Sequence, residues 1–196
     1  HGAYLLNHQK ALSLPMSKRI IDDAYGVIVH SPFNVDISRQ LYPAGTLANY
    51  SIIPQVIRRS SCNSPEKRAE ARARLGFKEG DTIIASFGFV AQCKGHDLIL
   101  AAFAQSILAK KNHCYLVFIG GSVDVPFSDA LEKRIKQMPC SNRIKIVGFA
   151  EEDVYADYLQ VADVAVQLRK ESRGGTSKSV LDCLASGLPL VMNRVP

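Results

Sequence analysis

From about residue 82 onward, short runs of β-branched and apolar residues alternate with stretches whose apolar residues recur at helical spacing. That alternation restricts the chain to a parallel sheet wrapped by helices, because parallel strands need long crossovers and helices commonly supply them. The spacing predicts strands at residues 82–87, 114–119, 144–147 and 188–192, with a further strand marked by Val164, Val166 and Leu168. Between them, residues 97–110 predict a helix with Leu98, Ile99, Ala102, Phe103 and Ile107 on one face. Ser128 is read as the cap of a helix carrying Leu131, Ile135 and Met138. Residues 151–160 form a short helix with acidic residues at its start, and residues 176–186 another with Val180, Leu181 and Leu184 inward, closed by Gly187. The fold class is therefore α/β, and the last strand enters the sheet just before Pro196, so the fold is expected to be cut short at its C-terminus.

Before this block, Ser64-Pro65-Glu66 is a strong helix opening that runs to Gly76. Residues 52–57, with Pro54 inside, read as an extended connector. Residues 25–30 read as a short strand between helical stretches at about 16–24 and 35–41. Residues 1–50 are therefore assigned to the end of a neighbouring domain and its connector, and residues 51–196 to the α/β domain. The chain opens at His1 with no basic segment leading into an apolar one, as expected of a piece of a longer protein.

Composition removes several classes. Apolar residues make up 47% and charged residues 21% of the 196, which excludes disordered and fibrous chains. No apolar stretch approaches the roughly 20 residues of a membrane span. The five cysteines include no Cys-x-x-Cys pair and no cluster with histidine, which predicts a reduced, cytoplasmic protein without a metal site. The formal charge of +6 suits an anionic ligand or an acidic membrane surface. With no arginine-rich run interleaved with aromatics, nucleic acid is not an expected partner.

In open parallel sheets ligands sit outside the carboxyl ends of the strands, near the point where strand order reverses. Two loops leave such ends. Gly88 to Gly95 follows the first strand and holds Lys94, whose long side chain can reach over the strand ends. Arg169 to Lys178 follows the fourth and combines Gly174-Gly175 with Arg169, Arg173, Thr176, Ser177 and Lys178. A glycine turn before a helix lets backbone N–H groups approach a phosphate, and the helix terminus adds positive charge. The same Gly174-Gly175 pair could equally serve only to turn the chain, with Ser177 as a helix cap. Asp182, one turn after Lys178, could likewise be an intrahelical partner. No Gly-x-Gly-x-x-Gly follows the first strand and no Walker loop is present, which counts against a dinucleotide oxidoreductase or an NTPase.

Taken together, these segments resemble the C-terminal donor domain of the retaining GT-B glycosyltransferases known as group 1 glycosyl transferases. Gly88 to Gly95 is similar to the family's Gly-Arg-Leu-x-x-x-Lys-Gly loop, with Lys94 at the diphosphate-binding lysine. Ile144-Lys145-Ile146-Val147-Gly148-Phe149 resembles the segment that contacts the nucleobase, and residues 159–168 the strand before the donor loop. Residues 179–191 resemble the end of the Glu-x7-Glu motif. Residues 24–31 look like the last strand of the acceptor domain. Phe89 stands where the family has arginine, glycine at 174 or 175 where it has glutamate, and Asp182 where it has a second glutamate.

The resemblance implies a Rossmann-like domain that binds a nucleotide-diphosphate sugar as substrate, with no cofactor and no metal. Lys94 would stabilise the leaving diphosphate. Thr176 and Ser177 with the Gly174-Gly175 backbone would hold the phosphates, Asp182 the ribose, and Gly148 with Phe149 the base, with Gly88 and Arg169 also donor-binding. The acceptor, a sugar or lipid-linked group, would bind an N-terminal domain outside this chain. The expected setting is the cytoplasm, with peripheral contact at the inner face of a membrane. A degenerate domain that binds nucleotide without catalysis is the alternative.

Overall fold

The computed structural model describes residues 6–7, 10–11, 15–41, 49–57, 64–170 and 176–194. The chain divides into two compact units.

In the first unit, β1 (Leu6–Asn7) and β2 (Lys10–Ala11) form an antiparallel pair. Then follow α1 (Pro15–Asp23), β3 (Val27–Val29), α2 (Pro32–Leu41) and β4 (Tyr50–Ile52). β3 and β4 are parallel, with Val27 opposite Tyr50 and Val29 opposite Ile52. Ile52 is thus the end of a strand and not the start of a connector. The pairing is carried one residue farther because Ile53 N donates to the Val29 carbonyl at 2.8 Å. Ile21 of α1 and Val35 of α2 are buried.

The second unit comprises α3 (Pro65–Leu75), β5 (Thr82–Phe87), α4 (His96–Gln105), β6 (Cys114–Ile119), α5 (Val125–Lys136), β7 (Ile144–Gly148), α6 (Glu152–Val161), β8 (Val164–Gln167), α7 (Lys178–Ala185) and β9 (Leu190–Met192). Its five strands are all parallel, in the order β7-β6-β5-β8-β9. The chain moves outward from β5 through β6 to β7, then returns to the other side of β5 with β8. The reversal therefore falls between β5 and β8.

Both faces of this sheet are covered, which is why its strands are nearly continuous apolar runs. Along β5 the side chains alternate. Ile83, Ala85 and Phe87 pack with Ala71 of α3, Tyr158 and Val161 of α6 and Cys183 of α7. Ile84 faces Ile99, Leu100 and Phe103 of α4 and Leu131 and Ile135 of α5. Ser64 caps α3 by accepting from Lys67 N, and Gly76 ends it in the left-handed conformation at φ 75°. α3 is then fixed to α6 by a two-pronged pair from Arg74 to Asp157, at 2.8 and 2.7 Å.

At the amino ends of β5 and β8, Asp163 acts as a junction. Its carboxylate accepts from Ile83 N at 2.7 Å and from Arg68 at 2.6 Å. Buried Arg72 donates to the carbonyls of Lys78 and Asp81 at 2.6 and 2.9 Å. A groove of about 460 Å³ lies here, lined by Arg68, Arg72, Phe77, Asp81 and Asp163 among others.

Three helices differ from the sequence reading. The helix expected over residues 97–110 stops at Gln105 and resumes as a 3₁₀ turn at Ile107–Lys110. Ser106 breaks it by donating its hydroxyl to the Phe103 carbonyl and accepting from Leu108 N. Leu98 and Ile107 face solvent, and Leu100 is buried beside Ile99 and Phe103. α5 starts a turn earlier than a Ser128 cap would place it, because Asp124 accepts from Phe127 N and Pro126 sits in the first turn. Ser128 is instead buried within the helix. In α7, Leu184 is exposed, and Ser179 and Cys183 are the buried residues.

Candidate functional site

The carboxyl ends of β5, β6 and β7 are finished by glycines that touch through their backbones. Gly88 N donates to the Ile119 carbonyl at 2.8 Å and Gly120 N to the Gly148 carbonyl at 2.9 Å. Gly120 has φ 148°, and a Cβ there would run into the carbonyl group of Gly88. Only glycine permits this approach. In the sequence Gly120 is the residue after the strand expected at 114–119; its repetition with Gly88 and Gly148 at the ends of three neighbouring strands was the available signal.

The strand-order reversal places two loops side by side. After β5, a 3₁₀ turn at Gln92–Lys94 leads through Gly95, at φ 66°, into α4. A Cβ on Gly95 would lie only 3.2 Å from Leu168 Cβ, so this glycine lets the loop after β8 pack closely. A Cβ on Gly88 would lie 3.5 Å from Ser179 Oγ and 3.9 Å from Lys94 Nζ. Gly88, Lys94 and the start of α7 thus meet at the reversal. Partial burial, and next the charge of Arg169, lower the Lys94 pKa below the ordinary lysine value. Arg169 is held through its backbone, accepting from and donating to the Asn193 side chain at 2.8 and 2.9 Å.

His96 opens α4 beneath this loop. It is buried, packs edge-on against Phe118 at 5.1 Å, and its Nδ1 lies 3.2 Å from the Ala91 carbonyl. Burial is the main cause that pulls its pKa from 6.5 to about 4, so the ring is neutral at physiological pH.

Asp182 lies on α7, where its carboxylate accepts from Lys178 at 2.8 and 2.9 Å and from the Tyr155 hydroxyl at 3.2 Å. The intrahelical pair considered from the sequence does form. Tyr155, which also packs against Phe87 at 5.3 Å, had no sequence signal because it is one aromatic residue within an amphipathic helix.

Of the sequence-predicted site residues, Gly88, Lys94 and Arg169 come together at the reversal. Gly148 ends β7, two strands from β5, and Phe149 projects there with 75% exposure. Phe89 is likewise exposed. Thr176 and Ser177, which directly precede α7, group with the first unit. Gly174 and Gly175, with Arg173, lie outside the described residues, as does Cys62. Cys93, Cys114, Cys140 and Cys183 are free thiols. Among the described residues no helix is long and apolar enough to cross a membrane, and no group of His, Cys, Asp and Glu is arranged to hold a metal ion.

An open parallel sheet whose order reverses between β5 and β8, with glycines at the strand ends and a partly buried lysine at the reversal, is an α/β domain of the Rossmann-like class. The sequence profile of the glycosyl transferases group 1 matches residues 67–196. The chain belongs to that family. No curated protein sequence matches the chain. Among solved structures it is similar to Anabaena HepE in complex with UDP-glucose, at 16% identity and a TM-score of 0.73, covering 92% of this chain and 48% of that one. It is also similar to sucrose-phosphate synthase from Thermosynechococcus elongatus, at 22% identity and TM-score 0.66, covering 91% and 43%. A C-terminal domain of a group 1 family protein, LpcC from Francisella tularensis, matches at 22% identity and TM-score 0.55, covering 64% of each chain. At these identities the likeness is one of fold, that of GT-B glycosyltransferases. The chain spans about half the length of the HepE chain or less.

Proposed function

We propose that this chain is the donor-binding part of a retaining glycosyltransferase, taking a nucleotide-diphosphate sugar and passing its hexose to a sugar or lipid-linked acceptor held elsewhere in a longer protein. The observation that carries the reading is the meeting of Gly88, Lys94 Nζ and the start of α7 at the β5/β8 reversal. A phosphate can approach the bare Gly88 backbone there, with Lys94 beside it. As the sugar–phosphate bond breaks, negative charge grows on the diphosphate, and a preorganised cation stabilises that charge more in the transition state than in the ground state. Lys94 and Arg169 take that role without a metal. Phe149, exposed beyond Gly148, offers a face to the base, and Asp182 takes the ribose hydroxyls in exchange for Lys178 or Tyr155. Work on polysaccharide or glycolipid synthesis at the cytoplasmic face of a membrane fits the basic charge of +6.

A second reading is a domain that binds nucleotide without turnover. It is favoured by Asp182, whose carboxylate already serves Lys178 and Tyr155, and by Phe89, an uncharged ring at the loop. Thermal-shift titration with UDP, GDP, ADP and their sugars tests donor binding; ligand at a hundredfold its Kd should stabilise by about 2.7 kcal/mol. No shift with any of them at millimolar concentration would remove the donor reading. Release of nucleoside diphosphate by the full-length protein separates the catalytic reading from the binding-only one.

A further inference from the structure

We propose that Asp97 and Lys170 are positioning residues, an ion-pair latch that closes the top of the β5/β8 crevice and fixes where Lys94 and Arg169 stand. The assignment deepens the donor reading above and rests on it.

At the reversal β5 and β8 part company. Their pairing is registered at Ile84 with Val164 and at Ala85 with Ala165, whereas β5 continues to Phe87 and β8 to Gln167. Beyond Ala85 and Ala165, other contacts must hold the two ends at a set distance. Two bonds from one residue do so. Lys170 N donates to the Cys93 carbonyl at 2.9 Å, and Lys170 Nζ donates to Asp97 Oδ2 at 2.7 Å.

The backbone bond joins the chain neighbours of the two cations of the site. Cys93 precedes Lys94, and Lys170 follows Arg169. Asp97 sits in the first turn of α4, a rigid element packed on the sheet through Ile99, Leu100 and Phe103. Lys170 is therefore anchored to the sheet through α4. The pair is about two-thirds shielded, with side chains 30% and 33% exposed, so solvent weakens it less than a fully exposed pair. Gly95 permits the same closeness by leaving room for Leu168. On the far side, Asn193, the residue after β9, grips Arg169, so Arg169 is held from both flanks. Loss of the latch would remove neither cation but let their separation vary, and a diphosphate needs both at once.

The test uses the full-length protein with Cys62→Ser as background, comparing Asp97→Asn, Lys170→Met, Lys170→Arg and the charge swap Asp97→Lys/Lys170→Asp. Two readouts are taken: Kd for whichever of UDP, GDP or ADP the wild type binds most tightly, and the rate at which a thiol reagent modifies Cys93. Asp97→Asn and Lys170→Met should each raise Kd about tenfold, the loss of one charged hydrogen bond, and speed Cys93 modification severalfold. Lys170→Arg and the swap should recover most of both. Wild-type Kd in the single variants overturns the proposal, whether or not the Cys93 rate changes. Loss in the singles with no recovery in the swap also overturns it, since general loss of packing behaves that way. A wild type that binds none of the three nucleotides sinks the donor reading; an unchanged Cys93 rate sinks the latch by itself.

Discussion

Gly120→Ala tests the backbone on which the crevice is built. Gly120 combines φ 148° with a direct approach to the Gly88 carbonyl, and a Cβ would also sit 3.1 Å from Phe89 N. The opposing atoms are backbone, and both strands are fixed by the bonds from Gly88 N to Ile119 and from Gly120 N to Gly148, so nothing flexible can yield. Overpacking costs about 1–3 kcal/mol, and a non-glycine residue held in such a conformation about 1–3 kcal/mol more. The expected loss is about 2–6 kcal/mol, a large share of a typical domain's stability. Two controls separate the contributions. Gly148→Ala, at φ 79° with nothing within 4 Å, should cost only the backbone strain, about 1–2 kcal/mol. Gly80→Ala, also with nothing within 4 Å and no left-handed requirement, should be within about 0.5 kcal/mol of wild type. Urea unfolding at constant m measures all three. Gly120→Ala no less stable than Gly80→Ala would refute the close approach of β5 and β6 at their ends.

His96 should make the protein acid-sensitive. Its pKa falls from 6.5 to about 4 on folding, so the folded state binds fewer protons in that window. The stability contributed by the neutral ring is complete above pH 6.5 and is lost as pH falls toward 4, about 3 kcal/mol in all. His96→Gln should flatten that limb of a urea-midpoint-against-pH curve, and an unchanged slope would argue against the burial. In the full-length enzyme, Lys94→Ala should lower kcat by about 10²-fold, as loss of one preorganised donor does. Asp182→Asn should raise the donor KM about tenfold or more with little change in kcat, because ribose hydroxyls change little during transfer. If only the Lys178 pair is lost, steady-state kinetics will show an unaltered KM and a stability cost of at most about 0.5 kcal/mol.

The sheet was legible because each strand is an apolar run between glycine or polar breaks, and the crossovers carry helical periodicity. β5 and β6 have the ends expected from sequence, and α3 was marked at both ends by Ser64 and Gly76. What failed depended on competition for local hydrogen bonds. Ser106 interrupts α4 through its own side chain, and Asp124 outcompetes Ser128 as a cap, choices that hydrophobic spacing does not register. At the site, Gly88, Lys94 and Arg169 could be read because loops after parallel strands must gather at the carboxyl edge. The Asp97–Lys170 pair, the Tyr155 bond to Asp182 and the Asn193 grip on Arg169 join residues far apart in sequence. Nothing local announces such pairs; they exist only once strand order is set.

The most direct test of donor binding at the β5/β8 reversal is to map UDP, GDP or ADP onto the protein by amide chemical shifts, because a competing groove lies at the opposite end of the same strands. That groove holds Arg68 and Arg72, but Arg68 is engaged by Asp163 and Arg72 by the carbonyls of Lys78 and Asp81. Titration should perturb the amides of Gly88, Lys94, Gly148 and Arg169 together and saturably, and leave those of Arg68, Arg72 and Asp163 in place. Saturable shifts centred on Arg68, Arg72 and Asp163, with Gly88 and Lys94 unmoved, would contradict the account.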